Sequence, residues 1–371
     1  MGNKKINLGV IGFGGFAMFA VQNFLQLPEI KIAGMCCTHR EAAQRASERF
    51  GLAGILEITD MLANPEIDLV YIATPPFLHY EHSMKALNAG KNVIVEKPFA
   101  LSLEQADEMI ALAKEKNLLL SVNLMQRYNL LYDKVKQLIN SKALGEVLHG
   151  YFENYASDEG LSPKHWFWDK GKSGGIFIEH GVHFFDMFEG WLGKGKVECA
   201  QESMREGTNI IDQVQCSVKY KNDVMINYYH GFTQANRMDR QELRILFEKG
   251  DITLYEWVPT RIKIHAITNE TETKIINDLF PYARIDMTSW YNGDERKTKS
   301  RFKDYETYQQ YDLYWNEQKE KMHIYGDILR AMIEDQIEWI KNKSHKRIIT
   351  EENGRSSLEM AVEAERLSEK K

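Results

Sequence analysis

Two fold classes succeed one another along this sequence of 371 residues. The first is an α/β domain built on a parallel sheet. The second is an α+β domain with an open, mostly antiparallel sheet. Three observations predict this. Early in the chain, short apolar runs alternate with amphipathic stretches, the pattern of strand–helix–strand units with right-handed crossovers. Those early strands are apolar on both faces, as a sheet covered by helices on both sides requires. Near Gly150 the pattern switches to period-two alternation and hairpin signals. The expected boundary separates residues 1–125 from residues 126–371, with the terminal helix packing back on the first domain.

Each element follows from local signals. Ile6–Ile11 reads as a strand, Gly15–Leu27 as a helix, Ile30–Cys36 as a strand and Glu41–Phe50 as a helix ended by Gly51. Leu69–Ala73 is the next strand. The helix Tyr80–Ala89 is closed by Gly90, which suits a C-terminal cap. After the strand Asn92–Val95, Ser102 and Gln105 form a capping box before the helix Leu103–Lys116, and Leu118–Val122 follows as a strand. In the second half, Val214, Cys216, Val218 and Tyr220 alternate with polar residues, a half-exposed strand. Lys221-Asn222-Asp223 is its turn, and a second strand runs to His230. Leu243–Phe247 and Ile252–Tyr255 flank the hairpin signal Glu248-Lys249-Gly250-Asp251. The polar, aromatic-rich span 286–318 matches no element. Its Tyr305, Tyr308, Tyr311 and Tyr314, spaced by three, are expected to form a packed face or a subunit contact. Helices near Ile324–Asn342 and Glu351–Ser368 close the chain.

Composition narrows the function classes. The formal net charge is -6 with no basic tract, so nucleic-acid binding has little electrostatic support. No apolar run approaches the roughly 20 residues of a membrane span. The start MGNKKINLGVIGFGGF lacks a signal-peptide pattern, and Ile6 departs from the myristoylation pattern. Cys36, Cys37, Cys199 and Cys216 contain no C-x-x-C pair, which suggests reduced, buried thiols in a cytoplasmic protein.

The first strand runs straight into Gly12-Phe13-Gly14-Gly15-Phe16-Ala17, and a helix follows. This G-x-G-x-x-A turn is a dinucleotide fingerprint when strand and helix flank it. The first glycine permits the turn, and the second lets the backbone approach a pyrophosphate. The small third residue lets the helix pack, and the helix N-terminus offers free N–H groups. At the end of the second strand an acid would take the ribose hydroxyls of NAD. Here stand Cys37, Thr38, His39 and Arg40, with no acid before Glu41. Thr38 and Arg40 could hold a 2′-phosphate, so the sequence leans to NADP or dual use. The alternative is that Arg40 is a solvated side chain.

Glu96-Lys97-Pro98-Phe99 follows the strand Asn92–Val95. Lys97 therefore lies at the carboxyl end of a central parallel strand, where such sheets bind ligands, and Pro98 suits a cis bond that would aim it. GVIGFGGFA, IATPPFLHYEHSMKALNAGKNVIVEKPFA, MQRYNLLY and GGIFIEHGVHFFD together resemble the Gfo/Idh/MocA family of oxidoreductases, over nearly the whole chain. The resemblance implies a Rossmann domain joined to a domain with an open antiparallel sheet. It implies action on a carbohydrate or polyol with NAD or NADP, and assembly as a homo-dimer or homo-tetramer through that sheet. It further implies that Lys97 binds or polarises the reacting oxygen, and that Ala73, Thr74, Pro75 and His79 line the dinucleotide. Glu96 would sit beside the nicotinamide ribose, and Arg127 near the site entrance and the cofactor.

The stretch IFIEHGVHFFD carries the remaining chemistry. On a helix, Glu179 and His183 stand at i and i+4 and share a face, Asp186 continues the stripe, and His180 points a quarter-turn away. Hydride transfer from an alcohol carbon needs a group to take the hydroxyl proton, and a neutral imidazole suits that task. His183 is the expected acid/base and Glu179 its catalytic companion, with a buried structural histidine as the alternative. No metal is expected, because this is not the H-E-x-x-H zinc helix. Glu179 departs from the family, which commonly has Asp there. Asn123, Tyr155, His165, His180 and His183 are candidate substrate contacts together with Lys97, and His230, Trp290 and Tyr291 are weaker ones. The expected function is an NAD(P)-dependent dehydrogenase or reductase acting on CH–OH groups. The alternatives are an NAD-dependent glycosidase using transient oxidation and a non-catalytic dinucleotide-binding regulator.

Overall fold

A computed structural model describes residues 5–37, 40–51 and 57–369. The early part of the chain folds as the apolar runs require. The order is β1 (Ile6–Ile11), α1 (Gly15–Phe24), β2 (Ile30–Cys36), α2 (Arg40–Phe50), α3 (Ile58–Ala63), β3 (Leu69–Ile72), α4 (His79–Asn88), β4 (Asn92–Val95), α5 (Leu103–Glu115) and β5 (Leu120–Val122). The five strands form a parallel sheet in the order β2-β1-β3-β4-β5. Every residue of β3 is buried, which accounts for its unbroken apolar run. Strand order reverses between β1 and β3, and the crevice at such a switch point is where open α/β sheets bind ligands.

Three local departures have physical causes. Helix α1 stops at Phe24 rather than Leu27. Its end tightens into bonds from Gln26 N–H to Asn23 O and from Leu27 N–H to Phe24 O as the chain approaches Pro28. Helix α3 was not expected; six residues are too few to show a helical period. At α5, Ser102 accepts from Gln105 N–H at 3.3 Å. The reciprocal bond goes from Leu101 N–H to Gln105 Oε1 at 3.2 Å, one residue before the position a capping box uses.

The later part begins with α6 (Leu130–Ser141), β6 (Val147–Ser157), α7 (Lys170–Ser173) and α8 (Val182–Leu192). Then come β7 (Lys196–Met204), β8 (Ile211–Lys219), β9 (Met225–Gln234), β10 (Arg240–Phe247), β11 (Gly250–Tyr255) and β12 (Arg261–Thr268). Helix α9 (Glu270–Leu279), β13 (Arg284–Trp290), β14 (Lys297–Ser300), β15 (Lys303–Glu306), β16 (Gln309–Asn316), α10 (Lys321–Lys341) and α11 (Glu351–Ser368) complete the chain. A nine-stranded sheet runs β13-β16-β12-β11-β10-β6-β9-β8-β7. It is antiparallel except where β6 pairs with β9. The hairpin expected around Glu248–Asp251 forms, with Phe247 opposite Gly250.

The unassigned span 286–318 becomes an edge strand, a two-stranded ribbon and β16. Its tyrosines share no face. Strand geometry alternates sides at every residue, so Tyr311 is fully buried while Tyr314 lies on the other side beneath the Arg284 guanidinium. Helix α9 carries a complete capping box from Asn269 and Glu272, legible as N-x-x-E and overlooked.

By contacts the chain divides into two compact units. One holds the chain up to Tyr128 with Lys164–Asp186 and Tyr325–Val362; the other holds Asn129–Pro163, Met187–Ile324 and the end from Glu363. Within the first unit, Arg355 of α11 pairs with Asp107 of α5, and Gly354 sits so close to Val122 that a Cβ would come within 2.6 Å. Among the described residues no helix is long and apolar enough to cross a membrane, and no cluster of three or more His, Cys, Asp or Glu is placed to hold a metal.

Candidate functional site

The glycine turn is built as its spacing demands. Gly12 has φ +91°, and a Cβ there would lie 2.6 Å from the Ala73 carbonyl oxygen and 2.9 Å from Thr74 Cγ2. Its N–H donates to Cys36 O at 2.9 Å. At Gly14 and Gly15 a Cβ would meet nothing within 4 Å. Gly14 is the N-cap of α1 and offers no side-chain cap, so the first-turn N–H groups have no cap side chain as acceptor. Open space above uncapped N–H groups is what a dinucleotide pyrophosphate needs, and the residues present fit that group. Phe13 and Ala17 are buried beneath the turn. Phe16 lies outside them, 5.9 Å from the Tyr325 ring of α10.

At the end of β2, Cys36 is buried. Burial, then the nearby Glu57, Asp60 and Cys37, push its thiol up to about 12. Cys37 is half-buried. Thr38 and the Arg40 side chain lie outside the described residues. At the end of β3, Ala73, Thr74 and Pro75 keep part of their surface. His79 is fully buried, with both ring nitrogens on backbone carbonyls.

Lys97 follows β4, and the Lys97–Pro98 bond is cis. Its Nζ lies 2.5 Å from Glu179 Oε1 and 2.9 Å from the Glu179 carbonyl oxygen. Glu179 is not on a regular α-helix. Residues Phe177–Gly181 form a π-turn that runs into α8, which corrects the simple i, i+4 relation to His183. Hydrogen bonds in a π-turn span five residues, so the turn is wider. It presents both the carboxylate and the carbonyl of Glu179 to one ammonium. His183 is 6% exposed. Burial, then the positive charge of Lys97, lower its pKa to about 3, so the imidazole is neutral at neutral pH.

Glu96 turns the other way, into the protein. Its Oε1 accepts from Asn123 Nδ2 at 2.7 Å and from the Tyr71 hydroxyl. Burial raises its pKa to about 7, against the pull of Tyr71, Asn123 and Lys97. Asn123, a candidate substrate contact, is 1% exposed and committed to this carboxyl. Arg127 is likewise committed. Its Nε lies 3.1 and 2.9 Å from the two carboxylate oxygens of Asp186, and its Nη2 donates to Oδ1 at 2.7 Å and to the Asp186 carbonyl at 3.1 Å. This fork ties the turn at Met125–Tyr128 to α8, one helical turn beyond His183.

The other candidates scatter. His180 is half-buried, its ring 5.5 Å from Phe184. His165 Nδ1 accepts from Phe167 N–H at 3.2 Å and caps a short turn. Tyr155, His230, Trp290 and Tyr291 belong to the second compact unit. There Tyr155 donates to Glu153 and lies under Arg240. His230 is fully buried, which lowers its pKa to about 3. Trp290 is exposed on β13, and Tyr291 donates to Gln310. Sequence reasoning missed Tyr71, His82 and Tyr325, and left Asp186 without a role. His82 repeats His79 one helical turn on, a signal that was available; nothing local marks Tyr71 or Tyr325.

Residues 6–124 match the family model for the GFO/IDH/MocA oxidoreductases, described as an oxidoreductase family with an NAD-binding Rossmann fold. Residues 132–253 match the GFO/IDH/MocA C-terminal domain. A scyllo-inositol 2-dehydrogenase (NAD(+)) of Bacillus subtilis (strain 168) is 28% identical over 191 residues, covering 51% of this chain and 54% of that one. A scyllo-inositol 2-dehydrogenase (NADP(+)) of the same organism is 28% identical over 241 residues, covering 63% and 66%. The chain spans about half the length of the curated relatives it matches. Among solved structures, the WlbA dehydrogenase from Bordetella pertussis, in complex with NADH and UDP-GlcNAcA, superposes with a TM-score of 0.79 at 18% identity. That match covers 99% of this chain and 96% of the other, and identity at that level shows a shared fold.

Proposed function

The chain belongs to the Gfo/Idh/MocA family, and from that premise we propose that it is an NAD(P)-dependent oxidoreductase. It transfers a hydride between nicotinamide and a sugar, cyclic polyol or related carbohydrate. The observation that carries this reading is the Lys97–Glu179 pair, with His183 in the field of Lys97, at the carboxyl end of β4 beside the switch-point crevice. When bound, the nicotinamide supplies the hydride chemistry, and the protein supplies orientation and charge.

Glu179 takes two of the three N–H donors of Lys97, through its carboxylate and its carbonyl. The third is left to hold the reacting oxygen. The His183 imidazole, whose Nδ1 is buried, takes the hydroxyl proton. In the free chain burial, and after it the Lys97 charge, makes His183 a weak base. An alkoxide forming on Lys97 neutralises that charge and strengthens the base as the proton moves. Run backwards, the same groups protonate a carbonyl oxygen as it is reduced.

Cys37 in place of an acid at the end of β2 supports NADP or dual use. Cysteine usage without a C-x-x-C pair supports a cytoplasmic setting. Tyr151, Glu153 and Tyr155 alternate along β6 on the half-buried side of the second sheet, which supports a homo-oligomer assembled through that face.

The test is titration with NAD, NADP and their reduced forms by tryptophan fluorescence, then turnover on a panel of polyols and keto-sugars. Lys97→Met is expected to lose at least about 100-fold in turnover while dinucleotide affinity holds. Near wild-type turnover in that variant, or no binding of any dinucleotide, would overturn the proposal.

A further inference from the structure

Gly12, Thr74 and Pro98 stand at the ends of three neighbouring strands, β1, β3 and β4. One buried side chain lies between two of them. His79, at the head of α4, is 0% exposed, so it touches neither substrate nor dinucleotide. Its Nδ1 lies 2.7 Å from the Pro98 carbonyl oxygen, and its Nε2 lies 2.8 Å from the Thr74 carbonyl oxygen. Carbonyl oxygens only accept, and a neutral imidazole carries one N–H. Burial lowers the His79 pKa to about 4, against those two bonds, and the neighbouring Lys97 and His82 lower it further. One proton therefore serves two acceptors.

The same helical turn holds Thr74 a second time. His82 Nδ1 lies 3.2 Å from Thr74 Oγ1. Thr74 itself backs the glycine turn, since a Cβ on Gly12 would come within 2.9 Å of its Cγ2. Close approaches thus run from Gly12 through Thr74 and His79 to Pro98, the residue after Lys97.

We infer that His79 is a positioning residue, whose Nδ1–H, donated to the Pro98 carbonyl, sets the place of Lys97 relative to the glycine turn. The inference rests on Lys97 being the group that holds the reacting oxygen. We place the proton on Nδ1, since Thr74 is held a second time through its hydroxyl at His82 Nδ1.

Two amide substitutions separate the nitrogens, because an Asn amide N–H falls near Nδ1 and a Gln amide N–H near Nε2. His79→Asn retains the bond to Pro98 and is expected to stay within about threefold of wild-type kcat, whereas His79→Gln drops kcat at least about tenfold. Dinucleotide affinity, read by tryptophan fluorescence, is unchanged in both. A second readout needs no turnover. Acetylation of Lys97 in the free protein by an N-hydroxysuccinimide ester, followed by peptide mass spectrometry, changes rate at least about threefold in His79→Gln and stays at the wild-type rate in His79→Asn. Equal behaviour of the two variants in both readouts would overturn the inference. So would loss of folding in either, which would make His79 a fold-keeping residue. Should the wild-type chain turn over no sugar or polyol, the functional reading falls, and the acetylation contrast still decides the role of His79.

Discussion

Removing the Asp186 carboxylate should both destabilise the chain and misplace its chemistry. The side chains of Arg127 and Asp186 are 12% and 1% exposed. Four contacts between 2.7 and 3.1 Å join the guanidinium to the carboxylate and carbonyl. Asp186→Ala deletes three of them and leaves a desolvated guanidinium. Breaking such a pair from one side typically costs about 3–5 kcal/mol, well beyond the value of an exposed ion pair. Replacing both partners with apolar residues of similar shape removes the stranded charge, so Arg127→Met/Asp186→Leu should recover most of that loss. Urea unfolding at pH 7 on the single and double variants measures both quantities. Helix α8 itself carries His183 and continues the turn that carries Glu179. Turnover of Asp186→Ala should therefore fall by about 100-fold, while binding at the glycine turn persists. A loss of stability under about 1 kcal/mol in the single variant, or a double variant no better than the single, would refute the reasoning.

Two further expectations follow from burial. His79, His183 and His230 have folded pKa values lowered to about 4, 3 and 3, so between the unfolded value of roughly 6.5 and those values only the unfolded chain takes up their protons. Stability is full above that window and falls with pH inside it. Glu96 has the opposite sign: its folded pKa is raised to about 7, so its contribution is full below the unfolded carboxyl value and is lost as pH rises through 7. Thermal melts from pH 4 to 9 should show the acid loss, and Glu96→Gln should flatten the decline between pH 5 and 8; an unchanged profile would contradict the buried carboxyl. The glycine turn separates folding from binding. Gly12→Ala meets the Ala73 carbonyl at positive φ and should cost more than about 1 kcal/mol. Gly14→Ala meets nothing in the free chain, so its melting should be normal and its dinucleotide affinity reduced.

Much of the architecture was readable in order along the chain, because its signals are short-ranged. The apolar runs of β1 to β4, the glycine that a positive-φ turn demands, and the lysine after β4 each depend on a few adjacent residues. The candidate chemistry was readable as residue types: Lys97 and Glu179 do meet, and His183 lies in the field of Lys97. What they are could not be read as geometry, because the partners are far apart in sequence. Lys97 and Glu179 are separated by 82 positions and Arg127 and Asp186 by 59. Likewise, no local pattern says that Glu96 faces inward onto Tyr71 and Asn123, or that His79 spends both nitrogens on carbonyls. The π-turn at Phe177–Gly181 differs from an α-turn by one residue in its hydrogen bonding, too small a change for periodicity to register. The sequence by itself determined which groups are available and which turns the backbone must make, since those are properties of a residue and its neighbours. Only the tertiary structure decided which groups are charged, which are committed to the protein and which are left to a substrate. Those depend on desolvation and on the single arrangement in which distant segments pack.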